Sequence, residues 1–227
     1  MKKIRIAIDG PAGAGKSSVS KLVAEKMGYS YIDTGAIYRS LALLMIKKGI
    51  TLEDENLIAE ELRSFNISFK MDNGVNLVFL NGEDITKDIR TEEVSMLASS
   101  VSAIPFVRKG LFDIQRAYAE KGGVVMEGRD IGTVIMPQAE LKIFLTASPL
   151  KRAERRLFDL RAKGVADITL EKLAEEIKKR DEQDSNREVA PLMPAADSVV
   201  VDNSDIDLKQ TSEKIISLAE KIIGEFL

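Results

Sequence analysis

The stretch KIRIAIDGPAGAGKSSVSKLVAEKMG, residues 3–28, constrains the fold more than any other part of this 227-residue chain. Ile4, Ile6 and Ile8 alternate as in a strand, whereas Val19, Leu22, Val23 and Met27 follow helical spacing and Gly28 offers a stop. Between them residues 10–17, GPAGAGKS, match G-x-x-x-x-G-K-[ST]. Strand, glycine loop and helix in that order begin a parallel α/β sheet, and the backbone N–H groups of such a loop turn inward around phosphate oxygens at a helix start. Gly10, Pro11, Ala12, Gly13, Ala14, Gly15, Lys16, Ser17 and Ser18 are thus expected to hold a nucleoside triphosphate. Lys16 would reach the β- and γ-phosphates and Ser17 would place its hydroxyl on Mg²⁺.

The remaining chain repeats the alternation. YSYID (29–33) reads as a strand, followed by a helix through Ile37, Leu41, Leu44 and Met45 to Gly49. A charged amphipathic helix is expected over 52–65. The period then changes to two at Ile67, Phe69 and Met71, the turn DNG, and Val75, Leu77 and Phe79, with NG at 81–82, which describes a small antiparallel insert at about 65–85. Helices follow near 91–103 and 105–120, the second opened by Pro105. GVVME and LKIFLTA are apolar runs of strand length, as parallel strands covered on both faces require. Ser148 and Pro149 start another helix, one more spans 169–187, SVVVD supplies a last strand and an amphipathic helix closes the chain. Five apolar strands separated by helices imply an open α/β sheet with ligands beyond the carboxyl ends of its strands.

Composition narrows the chemistry. With no histidine and no cysteine, imidazole acid/base catalysis, thiol nucleophiles, disulfides and thiolate metal sites are excluded, leaving carboxylates, lysine, arginine, backbone amides and a hard metal. A net charge of -3 argues against binding polymeric nucleic acid. The first apolar stretch is broken by Arg5 and ends at Asp9, too short for a signal or a membrane span, so the expected location is cytoplasmic. A switch GTPase would need D-x-x-G and N-K-x-D, and neither occurs.

Charged residues cluster where strands end. Asp33 ends the second strand and Glu127 ends VVME, so either could assist the metal. In EGRDIG, Gly128 and Gly132 would let the backbone turn close to a ligand. Arg129 and Asp130, as neighbours in a turn, can point to different parts of one molecule. Arg180, Asp184 and Arg187 are spaced i, i+4, i+7, so one helix would aim all three to one side, although a surface ion-pair stripe has the same spacing. On the helix at 149–164, Lys151, Arg152, Arg155, Arg156, Arg161 and Lys163 outnumber Glu154 and Asp159. It is either a solvated helix or a mobile lid whose arginines, Arg152 and Arg156 among them, cover a transferring phosphate.

The segments DGPAGAGKS, DTGAIYR, GRDIGTV, KIFLTAS, EIKKRD and NREVAPLMPAAD resemble those of bacterial cytidylate kinases over essentially the whole chain. The resemblance implies ATP-dependent phosphorylation of CMP and dCMP on a P-loop kinase core with a five-stranded parallel sheet. The core would comprise 1–37, 121–148 and 165–227, a monophosphate-binding lobe with its β insert 38–120, and a short helical lid 149–164. Carried over residue by residue, it puts Ser99, Arg108, Asp130 and Arg187 around the cytosine and Arg180 and Asp184 near the sugar, with Arg180 also within reach of phosphate. Arg39 and Arg129 would hold the acceptor phosphate, with Asp33 and Thr34 at the catalytic edge and Tyr38 in the CMP site. Gln183 and Ser185 stand where such proteins often carry further arginines, so no donor-phosphate clamp transfers to them. The implied partners are CMP and dCMP as substrates of a monomer, with neither polymeric nucleic acid nor membrane. Two readings compete: a P-loop kinase for another monophosphate or a hydroxylated metabolite, and a binding protein that uses ATP as a conformational ligand.

Overall fold

The computed structural model describes residues 3–72, 74–162, 164 and 168–226; Asn73 of the expected DNG turn and Lys163 of the expected lid helix lie outside them. The chain divides into two compact units, Met1–Ser30 with Gly122–Leu227, and Tyr31–Lys121.

The first unit is built on β1 (Arg5–Asp9), β6 (Val124–Gly128), β7 (Leu141–Thr146) and β8 (Val199–Asp202), all in parallel register. The five-stranded sheet runs β2-β6-β1-β7-β8, and β2 (Ser30–Asp33) is the strand at which the chain passes from one unit to the other. Every residue of β6 is buried, so its apolar run has no polar alternation. Ile4, Ile6, Ile8, Val125, Met126, Ile143 and Leu145 form the core with Val19 and Val23 of α1 (Lys16–Met27) and Ile215 of α8 (Leu208–Gly224). Gly28, at φ +64°, closes α1, and Asp207 with Gln210 makes a reciprocal cap at the start of α8. Helices α6 (Pro149–Ala162) and α7 (Leu170–Asn186) pack on each other through a small separate cluster centred on Ala153, Leu173 and Ile177.

The second unit centres on α2 (Thr34–Lys48), whose Ile37, Leu41 and Met45 are fully buried. Around it lie α3 (Glu55–Arg63), the antiparallel sheet β3 (Ile67–Asp72), β4 (Val75–Leu80) and β5 (Glu83–Asp84), a single 3₁₀ turn (Asp88–Arg90), α4 (Glu92–Val101) and α5 (Pro105–Ala119). Asn81 and Gly82 both take positive φ, +51° and +87°, between Leu80 and its ladder partner Glu83. That is the two-residue hairpin geometry that the Asn-Gly pair favours.

One local expectation becomes specific and another changes. The turn expected after β6 includes a π turn at Ile131–Ile135. Arg187 does not belong to α7, which ends at Asn186; its ψ of +142° is extended, so helical spacing alone does not put it beside Arg180 and Asp184.

Candidate active site

In the first unit the glycine loop links β1 to α1. Gly10 has φ +151°, and a Cβ there would stand 1.9 Å from the carbonyl oxygen of Leu145, so the sheet itself demands a glycine. Gly15, at φ +85°, precedes α1 and leaves the helix start without a side-chain cap, so its amides face outward as an anion site would need. Lys16 is buried, and its Nζ donates to the carbonyl oxygens of Gly10 and Pro11, each at 2.7 Å. Burial and, next, the Arg129 guanidinium push this ammonium down to about 7, with Glu127 pulling the other way and Arg180 and Asp184 contributing smaller opposed effects. Ser17 and Ser18 are exposed on the first turn of α1.

Asp9, the last residue of β1, is 5% exposed and clamps the π turn. Its two carboxylate oxygens accept the N–H groups of Ile131 at 2.8 Å and Gly132 at 2.7 Å. Burial pushes Asp9 up to about 6 against the pull of those two amides, with Asp130 adding to the rise and Lys16 opposing it. The space at Gly132, expected to admit a ligand, is taken by the protein: a Cβ would lie 3.2 Å from the Lys142 side chain and 3.4 Å from Asp9 Oδ2.

Arg129 and Asp130 are not paired with each other in the contacts that define them. Arg129 Nε donates to Asp184 Oδ2 at 2.8 Å, and Arg187 Nη2 donates to Asp130 Oδ1 at 3.3 Å with both side chains almost fully enclosed. Burial acts to raise the Asp184 carboxyl, but Arg129 above all, then Arg180 and Arg187, hold it below the usual carboxylate value. Arg187 Nε also donates to the carbonyl of Ala190, and Ala190 sits at φ +53°, an uncommon left-handed conformation for a residue with a Cβ.

Of the helix α6 arginines, Arg152 is buried and fully engaged. It donates through Nε to Ala147 O at 3.0 Å and through Nη1 to Ala12 O at 3.0 Å and Asp181 Oδ2 at 2.6 Å. Arg155 donates to Asn203 through both its side-chain oxygen, at 3.0 Å, and its carbonyl, at 2.7 Å, while Asn203 Nδ2 donates to Ala14 O at 3.0 Å. Arg156 is exposed.

The second unit holds the remaining candidates. Asp33 caps α2 by accepting the Ala36 N–H at 3.0 Å and receives Arg39 Nη2 at 2.7 Å. Burial acts to raise the Asp33 carboxyl, but Arg39, the Ala36 amide and Arg90 outweigh it and hold it below the usual value. Thr34 is buried at the start of the same helix. The Arg108 guanidinium lies 5.6 Å from the Tyr38 ring centre and donates to Ser102 O at 3.0 Å; Ser102 in turn donates to Ser99 O at 2.8 Å. Tyr38, Ser99 and Arg108 thus belong to one connected group.

Asp9, Asp181 and Asn203 are site-forming residues that the motif search passed over. Asp9 and Asn203 stand at or just after the ends of β1 and β8, so the strand-end rule that singled out Asp33 and Glu127 would have found both. Asp181 carries no such signal, because its partner Arg152 lies 29 residues away.

The first unit thus holds a glycine loop with an uncapped helix start, a buried lysine and arginines engaged by carboxylates. Among solved structures, an uncharacterized protein from Eubacterium ventriosum has the same fold, with a TM-score of 0.54 at 15% identity over 97% of this chain and 99% of that one. The family model described as cytidylate kinase matches residues 6–221. A cytidylate kinase of Caldicellulosiruptor bescii is 50% identical over 98% of both chains, and one of Streptococcus sanguinis is 49% identical over 99% of this chain and all of its own. With the loop, the strand-end carboxylates and the GRD turn all inside the matched span, the chain belongs to the cytidylate kinase family.

Proposed function

We propose that this chain transfers the γ-phosphoryl group of ATP to CMP and dCMP, giving CDP or dCDP and ADP. The observation that carries the reading is the division of labour at the GRD turn. Arg129, partly buried, and Asp130, buried, are adjacent, yet each is bound to a different partner, Asp184 and Arg187. That geometry supports an arginine directed to a phosphate and an aspartate directed to a base. Cytosine offers an N4 donor for a carboxylate and N3 and O2 acceptors for arginine or serine, whereas uracil would turn a carbonyl toward Asp130 and leave it unpaired. A good bidentate contact of this kind is worth roughly 1 to 3 kcal/mol of discrimination.

The acceptor phosphate is already anionic, so its oxygen can attack the γ-phosphorus in line without a strong base, which suits a chain that has no histidine. Lys16, now donating to two carbonyls of its own loop, exchanges them for β- and γ-phosphate oxygens. Arg39 and Arg129, now on Asp33 and Asp184, exchange carboxylates for the acceptor phosphate. Catalysis is then positioning and charge neutralisation. The unit Tyr31–Lys121 is read as the monophosphate-binding lobe, with Tyr38, Ser99 and Arg108 on the nucleoside, and α6 as the lid.

The donor set suits Mg²⁺, a hard cation. Ser17 has an exposed hydroxyl on the first turn of α1, and Glu127 is a buried carboxylate that acts on Lys16. Asp9 is a poorer ligand because both its oxygens are spent on amides, and both oxygens of Asp33 already accept hydrogen bonds. Bound with ATP, the ion would supply neutralisation of phosphate charge. Among the described residues no helix is long and apolar enough to cross a membrane. The proposed enzyme is a cytoplasmic monomer.

The test is ADP release with CMP, dCMP, UMP, AMP and GMP offered in turn. Strong turnover with CMP and dCMP is expected. Strong turnover with AMP and little with CMP would replace this reading with another monophosphate kinase, and no turnover with any of them would favour the binding protein.

A further inference from the structure

Most described glycines of this chain stand at positive φ, where a Cβ strains the backbone, but Gly35 does not. It is the second residue of α2. A glycine inside a helix costs stability relative to alanine, so a backbone requirement does not account for it. What lies beside it does. A Cβ at Gly35 would stand 2.9 Å from Arg39 Nη1 and 3.0 Å from Asp33 Oδ1. Those atoms belong to the pair in which Arg39 Nη2 meets Asp33 Oδ2 at 2.7 Å while Asp33 Oδ1 caps the helix. The guanidinium is folded back along the first turn of α2, into the volume that a methyl group would fill. The far end of an arginine can swing away at little energetic cost, and the Asp33 carboxylate need give only by a few tenths of an ångström, so an added methyl would move the guanidinium and press lightly on the cap of α2.

We propose that Gly35 is a positioning residue: its missing side chain sets the Arg39 guanidinium over the start of α2, in the orientation that receives the acceptor phosphate. The inference rests on the reading of Arg39 given above. It separates the response of structure from that of function. Gly35→Ala should shift Tm by no more than about 1–3 °C, since alanine favours the helix and restricts the unfolded chain while its methyl presses on the Asp33 cap. The same variant should lower kcat/KM for CMP by about tenfold to a hundredfold, mainly through KM, with KM for ATP within about twofold, because displacing a clamp by around 1 Å is costly to orientation.

The experiment measures kcat and KM for both substrates, and Tm, in Gly35→Ala, Arg39→Ala and the double variant. If the glycine acts through Arg39, the double variant is no worse than Arg39→Ala. Full activity in Gly35→Ala beside a damaged Arg39→Ala would remove the inference and leave the phosphate role of Arg39 standing. Full activity in Arg39→Ala would remove that role, and the inference with it. Additive losses would show that Gly35 acts on something other than Arg39, and a large fall in Tm would return it to an ordinary structural glycine.

Discussion

Asp33 with Arg39, and Asp184 with Arg129, are the same chemical pair built in different ways. The first joins residues six apart across the start of one helix. The second joins residues 55 apart, and its neighbour, Asp130 with Arg187, spans 57. The local pair depends on little more than α2: Asp33 caps the helix, Arg39 lies one turn and a half further on, and Gly35 leaves room between them. The remote pairs depend on the end of β6, the clamp from Asp9 and the placement of α7, whose packing against α6 rests on a small separate cluster. In both cases a carboxylate holds an arginine in place in the free protein. The difference is that one of them forms wherever its helix forms, while the other records the tertiary structure.

The largest effect should come from Lys16, the buried lysine that follows the glycine loop. Lys16→Ala should reduce turnover by about a thousandfold or more, the scale associated with removing a principal charge stabiliser in phosphoryl transfer, while Tm holds or rises because a buried cation is gone. Near-normal ADP release from this variant would undo the phosphate assignment.

The comparison itself is sharpened by removing charge from each carboxylate without changing its shape. Asn is as good a helix cap as Asp, so Asp33→Asn should keep α2, but it leaves Arg39 without a counter-ion as enclosed as Asp184 is for Arg129. Asp184→Asn does the same to Arg129, and each change should cost up to roughly 3–5 kcal/mol. Thermal unfolding of the two variants side by side checks this; an unchanged Tm in either variant would show that its carboxylate does not hold the arginine in the free protein. The Asp184 carboxyl is held below its ordinary value, so its contribution is present above the unfolded value and fades as pH falls through the folded one. Wild-type and Asp184→Asn stabilities should therefore converge in acid.

The smallest effect is a fraction of a proton. With Lys16 pushed down to about 7, the unfolded chain holds this proton where the folded one does not, so its contribution to stability rises with pH between about 7 and its ordinary value near 10.5. Triphosphate binding should restore the charge. Calorimetry at pH 8 in buffers of different ionisation enthalpy should report proton uptake on ATP binding. Lys16→Ala should show none, and proton release by the wild type would contradict the placement of Lys16.

The same contrast explains how much of the molecule was legible in its sequence. The βα alternation, the loop, the Asn81-Gly82 turn and the cap of α2 are set by neighbours, and periodicity or residue type reveals them. Asp33 could be picked out as a strand end and DTGAIYR as a motif, although neither discloses that Arg39 folds back over Gly35. Arg180, Asp184 and Arg187 look like one helical stripe, yet α7 stops at Asn186, and Arg187 is aimed by the carbonyl of a left-handed Ala190. No local rule marks that alanine. Nor does one pair Arg152 with Asp181 or send the two oxygens of Asp9 to amides 122 and 123 residues away. Resemblance supplied the residues of the remote site, and only the fold supplies their partners.

The central claim is that the GRD turn separates phosphate from base, with Asp130 reading cytosine. It is tested most directly by the ratio of kcat/KM for CMP to that for UMP in the wild type and in Asp130→Ala. The account predicts a wild-type ratio of at least about thirty, as two or more base contacts of 1 to 3 kcal/mol imply, falling to within about tenfold of parity in the variant while ATP affinity is kept. An Asp130→Ala enzyme that retains the wild-type ratio would contradict it.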